Sequence, residues 1–198
     1  MRLRHIVGGL AVTIVAAAGV PAVASAATVS PLSRPVPKTS QWHVAPTAGG
    51  AATASSIPWK PYRTKPWHDA PGKVCRFGVN VTIVRQHEQY RTLSSYPNGN
   101  PRLQEFRGPL FARYTNTSTG KSVVGNLSGY GWFYYPASGG LDVYIPNHID
   151  VTVPVGNRGF PAGEWIVSGR SLVIIDSTGA INIVLIHATT ENICRTLS

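Results

Sequence analysis

The chain has 198 residues, 43% of them hydrophobic and 13% charged, with a formal net charge of +10. That length allows one domain, or one domain plus a tail. Its 20 glycines and 16 prolines speak against a helical protein, and its basic residues are scattered along the chain, which disfavours nucleic acid as a partner.

Residues 1–26 have the three parts of a secretory signal: two arginines in Met1–His5, an apolar run over Ile6–Ala24, and the small-residue site Ala24-Ser25-Ala26. Cleavage after Ala26 is expected, with secretion of the remainder and no membrane segment left behind; the alternative is an uncleaved anchor. Losing Arg2 and Arg4 leaves 16 Lys and Arg against 8 Asp and Glu, a net charge of +8. A basic secreted protein favours acidic partners such as an anionic wall polymer.

Residues 27–72 form a Pro-, Ala-, Ser- and Thr-rich tail that buries too little apolar surface to offset its ordering entropy, so disorder is expected. Within it, Ile57–Trp67 alternates prolines, aromatics and cations in a pattern of extended polyproline type. The rings of Trp59, Tyr62 and Trp67 are expected to pack on the outside of the following domain, because three wet aromatics are costly. A docking strip for an acidic or glycan surface is the other reading.

Residues 73–198 read as a β domain. Cys75–Val84 alternates, with Cys75, Phe77, Val79, Val81 and Ile83 on one face. Tyr90–Tyr96 and Arg102–Phe106 flank Pro97-Asn98-Gly99-Asn100, a strong hairpin signal. Leu110–Thr115 with Ser122–Leu127, and Tyr130–Tyr135 with Leu141–Ile145, form two further hairpins, and Ile149–Val153 follows. A last hairpin, Trp165–Ile175 and Ala180–Ala188, turns at Asp176–Gly179. Together these predict an all-β fold, an antiparallel β-barrel or β-sandwich of about nine strands. Thr190–Leu197 predicts a short C-terminal helical turn.

The hairpins turning at Ser118-Thr119-Gly120 and Ser177-Thr178-Gly179 share a turn chemistry. They differ in pattern. The first alternates, whereas Leu172–Ile175 and Ile183–Ile186 are continuously apolar. Strands apolar on both faces must be covered on both faces.

Cys75 and Cys194 are the only two cysteines. In an exported chain they most simply pair with each other, and closing so long a loop is worth about 4–5 kcal/mol in the chain-entropy model. Free thiols and intermolecular bridges are the alternatives. With this frame, Cys75, Leu110–Gly120, Gly169–Gly179 and Cys194, residues 73–198 resemble small secreted actinobacterial proteins of unknown function. The resemblance implies export by a Gram-positive, high-GC bacterium and a disulfide-closed all-β domain. It implies no activity.

The signs of catalysis are sparse. No Gly-x-Ser-x-Gly, no His-Glu-x-x-His and no zinc-type Cys/His spacing occurs, so neither a metal nor a cofactor is expected. His148 and Asp150, two apart on a strand, share a face and are the best candidate acid–base pair. His187 reads as a core histidine, and no two carboxylates stand adjacent on a strand face. In Tyr130–Tyr135, the rings of Tyr130, Trp132 and Tyr134 share one face and are the candidate binding residues. The expected function is a non-catalytic binding or interaction domain for a small apolar ligand or an extracellular partner. A wall- or glycan-binding module using the 130–135 run, and a small enzyme using His148 and Asp150, are the alternatives.

Overall fold

A computed structural model describes residues 56–198 in full and residues 6–8 and 11–13 as backbone strands. The cleavage site and residues 27–55 of the tail lie outside the described residues. The strands are β1 (Ile6–Gly8), β2 (Ala11–Thr13), β3 (Lys60–Tyr62), β4 (Trp67–Asp69), β5 (Val79–Gln86), β6 (Glu88–Ser95), β7 (Pro101–Gly108), β8 (Leu110–Asn116), β9 (Ser122–Asn126), β10 (Gly129–Tyr134), β11 (Leu141–Ile145), β12 (His148–Val153), β13 (Gly163–Ile175) and β14 (Ile181–Asn192). One short helix, α1 (Ile193–Thr196), ends the chain. Among the described residues no helix is long and apolar enough to cross a membrane.

The fold is all-β and sandwich-like, with two sheets and no closed barrel. Twelve strands follow residue 59, more than the nine or so expected, because β3 and β4 arise from the proline-rich strip and join the segments read from the sequence. The large sheet runs β1-β2-β12-β13-β11-β10-β7-β6-β3, with β14 on the other edge of β13; the small sheet runs β4-β5-β8-β9.

Three strand pairs pass directly from one sheet into the other. β5 in the small sheet continues into β6 in the large one across His87, β7 continues into β8 across Pro109, and β9 leads into β10 across Leu127-Ser128. This is the corner of a sandwich whose strands switch sheets at bends. His87 N–H donates to the Pro109 carbonyl (2.9 Å), joining two of the bends. Gly108 supplies the conformation the corner needs: its φ is +136°, and a Cβ there would collide with the His87 carbonyl.

β13 is the long strand that divides the large sheet. Along one edge it pairs with β14 throughout; along the other, Gly163–Ser168 pairs with β12 and Ser171–Ile175 pairs with β11. The break comes at Gly169, whose φ is +112°, and at the register shift between Arg170 and Ser171. A bulge at such a point increases local twist, so the two halves of the sheet can diverge.

Two cores result. The inner face of the large sheet curls around Phe106, Phe133, Val143, Ile149, Val151, Val167, Val173 and Ile183. Phe133, Val143, Val173 and Ile183 lie directly opposite one another across four strands. The second core lies between the small sheet and the outer face of β13, where Val79, Val81, Leu110, Ala112 and Tyr114 meet Ile166, joined by Ile193 of α1 and by Leu197 just after it. The small sheet and α1 therefore cover the second face of β13 in its first half.

Cys75 and Cys194 are bonded to each other. The disulfide ties α1 to the segment before β5. That segment corrects one expectation: Cys75 to Phe77 do not extend the strand, which starts at Val79. The chain turns there instead, with Gly72 N–H donating to the Cys75 carbonyl (2.8 Å). The Asn192 side chain caps α1 by accepting from Arg195 N–H (3.2 Å). Asn116 Nδ2 and Lys121 Nζ then donate to the carbonyls of Leu197 and Ser198.

Residues 57–72 belong to the folded part rather than to a tail. Tyr62 packs on the first core and Trp67 on the second. Thr64 fixes the strip between them: its Oγ1 donates to Glu88 Oε2 (2.6 Å) and its N–H to Gln86 Oε1 (2.8 Å). The two Ser-Thr-Gly turns also share their construction. Asn116 Oδ1 accepts from Ser118 N–H and Asp176 Oδ1 from Thr178 N–H, both at 2.8 Å.

Candidate functional site

Side chains alternate across a sheet, so the residues opposite the first core define the outer face of the large sheet. On β13 that face begins with Glu164 and Ile166 under the small sheet. It then passes the break and continues through Leu172 and Ile174. This second half contributes no residue to the core beneath the small sheet: Leu172 is buried among its neighbours, Trp132, Tyr144 and Ile174 are half-buried, and Tyr130 is exposed. Its central row is read from the register: Arg91, Glu105, Trp132, Tyr144, Leu172 and Val184 stand opposite one another on six adjacent strands. Six strands at ordinary spacing make a row of about 24 Å.

The candidate binding residues Tyr130, Trp132 and Tyr134 all stand on this face, as expected from alternation. The Tyr144 ring stacks on Trp132 (centroids 5.8 Å apart, 29° between planes), and Tyr130 meets Trp132 edge-on (5.5 Å, 84°). Tyr130 is 43% exposed. Phe133, next in sequence to Trp132, is wholly buried in the first core.

Trp59 closes one end of the row. It comes from the strip just before β3, and two guanidinium groups lie over its ring, Arg107 at 3.9 Å and Arg91 at 4.4 Å from the centroid. Arg91 is held by Glu105 (2.6 Å), which neutralises it. Among the described residues the hydrogen-bond partner of Arg107 is a neutral side chain, Gln89 Oε1, at 3.0 Å. It is exposed, so it carries the net positive charge of this cluster. Guanidinium over indole is a favourable cation–π arrangement, and it fixes both the ring and the charge at the surface.

A cleft of about 910 Å³ lies where the β6–β7 and β10–β11 turns meet, lined by Tyr96, Pro97, Asn98, Tyr135, Pro136 and Gly140 among others. Its floor is fixed by hydrogen bonds from Tyr96 Oη to the Tyr135 carbonyl (2.6 Å) and from Tyr135 Oη to Gln104 Oε1 (2.9 Å).

The two members of the candidate catalytic pair meet different partners. His148 Nδ1 lies 3.0 Å from Ser168 Oγ on the neighbouring strand. Asp150 is 1% exposed and turns under the small sheet, where it meets Glu164 on β13 and Tyr114 on β8. Burial, above all, raises the Asp150 carboxyl, and burial together with the Asp150 charge raises Glu164 well above the ordinary carboxylate range. No two carboxylates are adjacent along one strand face, as expected, but two meet across strands: Thr152 stands directly opposite Glu164, and Asp150 is the same-face neighbour of Thr152 on β12. His187 is also corrected, being exposed on β14 rather than in a core.

Among the described residues, no group of three or more His, Cys, Asp or Glu side chains is arranged to hold a metal ion. No protein family, curated protein or solved structure matches the chain. Trp59, Arg91, Arg107 and Tyr144 were not singled out as site residues from sequence. Only the pairing of β6, β7, β10 and β11 brings them to Trp132, although the aromatic–cation alternation around Trp59 was a partial signal.

Proposed function

We propose that the protein is exported and binds an anionic polysaccharide, such as a wall polymer, along the uncovered outer face of its large sheet. The observation that carries this reading is the aromatic row Tyr130–Trp132–Tyr144 ending at Trp59 with Arg107 and Arg91 on its ring. Aromatic rings fixed on a rigid sheet offer flat apolar faces with a polar edge, suited to the flat faces of sugar rings. A guanidinium at the end of the row suits a carboxylate or phosphate substituent, which it can engage with two parallel hydrogen bonds.

The chemistry of the site favours binding over catalysis. The row holds no nucleophile beside a base, and Asp150 is closed off beneath the small sheet. The inner core is filled by the protein's own side chains, which leaves the outer face as the better-supported surface for a ligand. The basic balance of the whole chain draws an anionic polymer towards it.

Co-sedimentation with purified anionic cell-wall polysaccharide tests the proposal. The wild type is expected to pellet with the polymer at low salt and to be released as salt screens the guanidinium contacts. Trp132→Ala is expected to reduce binding at least tenfold while remaining folded. Equal binding by wild type and a folded Trp132→Ala variant would overturn it.

A further inference from the structure

The covered half of the same sheet face holds an arrangement that polymer binding does not use. Asp150 and Glu164 are both essentially inaccessible, at 1% and 0% exposure, and all four of their carboxylate oxygens lack a hydrogen-bond partner among the described residues. The side chains facing them are also unsatisfied or acidic. Tyr114 Oη from β8, Thr152 Oγ1 from β12 and Asp69 Oδ2 from β4 all lack a hydrogen-bond partner. Trp67 and His68 flank Asp69 on β4, and Glu191 on β14 acts on Tyr114. The charges acting on Asp150 and Glu164 most strongly are carboxylates.

Two ionised carboxylates in that position would repel one another, and burying both charges would be very unfavourable even with the Tyr114 and Thr152 hydroxyls beside them. One proton changes the chemistry. A protonated carboxyl is a donor, so the pair becomes a carboxylic acid–carboxylate hydrogen bond with a single charge, leaving Tyr114 and Thr152 to orient towards it. The alternative neutraliser would be a cation, but among the described residues no three His, Cys, Asp or Glu side chains, Asp69 included, are arranged to hold one.

We propose that Asp150 and Glu164 share a proton, and that this acid pair seals the small sheet onto the large one and weakens the seal as pH rises. The direction follows from linkage. Asp150, Glu164, Asp69 and Glu88 are all raised, chiefly by burial. The folded protein therefore keeps protons that the unfolded chain has already released above the ordinary carboxylate range. Their stabilising effect is complete below that range and is lost as pH rises through the folded-state values. Alkaline conditions, rather than mild acid, should loosen this half.

Urea unfolding of the purified protein between about pH 5 and about pH 8 tests this. The wild-type midpoint is expected to fall with rising pH, and Glu164→Gln and Asp150→Asn, which keep the shape and remove one charge, are expected to flatten that slope. A flat or rising wild-type profile would overturn the proposal. So would a wild-type loss at higher pH that calcium reverses, since the pair would then be a cation site. If neither variant folds, infrared spectroscopy of the wild type decides. A protonated-carboxyl C=O band persisting at neutral pH is expected, and its absence contradicts a shared proton.

Discussion

One face of the large sheet is used in two different ways on either side of Gly169. Towards Glu164 and Ile166 it is covered by the small sheet and α1, and it buries carboxyl groups beneath that cover. Towards Leu172 and Ile174 it contributes no residue to the core beneath the small sheet, and it carries Tyr130, Trp132 and Tyr144. β13 and β14 run through both halves, while β12 flanks the covered half and β11 the uncovered one. What differs is the layer above them, which exists only where β5, β8 and β9 have folded over at the corner. The covered half should therefore govern stability and its pH dependence, and the uncovered half should govern binding.

The largest effect is expected from loosening the cover. Replacing Cys75 and Cys194 by serine frees α1 from the segment before β5 and should lower stability by about 4–5 kcal/mol, read by chemical denaturation. Leu110→Ala opens a cavity under the small sheet at a fully buried position and should lower it by about 2–5 kcal/mol. Both variants, where folded, should still bind polymer. On the other half the balance reverses. Trp132→Ala removes a cross-strand aromatic pair worth about 1 kcal/mol yet should abolish most binding. Arg107→Ala should have the smallest effect on stability, about 0.5–1 kcal/mol from its contact with Trp59. It should also make the remaining polymer binding less sensitive to salt.

The hairpins of residues 88–145 were legible because their information is local. Alternation and turn residues such as Asn98-Gly99 set the strands, and the structure has them within a residue or two. The C-terminal turn and the Cys75–Cys194 pairing were legible for similar reasons, from a short helical spacing and from counting cysteines. The sheet-switching corners were not. Gly108-Pro109 and Leu127-Ser128-Gly129 look like ordinary breaks until the partners across them are known. Cys75–Phe77 alternates like a strand, but the chain there turns between Gly72 and Gly78 to bring Cys75 to α1.

The same limit applies to the sites. Tyr130, Trp132 and Tyr134 could be placed on one face from sequence alone, because a strand's period is enough. Tyr144, Arg107 and Trp59 join them only through register and through a strip that docks from outside. Asp150 and Glu164 are separated by the loop between β12 and β13, and their approach depends on Thr152 standing opposite Glu164. His187 was misplaced because it sits within an apolar run, yet β14 turns it outward at the edge of the sheet.

The central claim is that a polymer is bound by the uncovered half alone, and the tryptophans provide an internal control. Trp59 and Trp132 belong to the proposed surface, whereas Trp67 lies against Tyr114 beneath the small sheet and Trp165 Nε1 donates to the Pro161 carbonyl (3.0 Å). Indole N–H resonances followed by NMR during titration with an anionic polysaccharide separate the two groups. The account predicts that the Trp59 and Trp132 signals shift together and saturably while those of Trp67 and Trp165 stay in place. Binding that leaves Trp59 and Trp132 unmoved, or that shifts Trp67 and Trp165 instead, would contradict it.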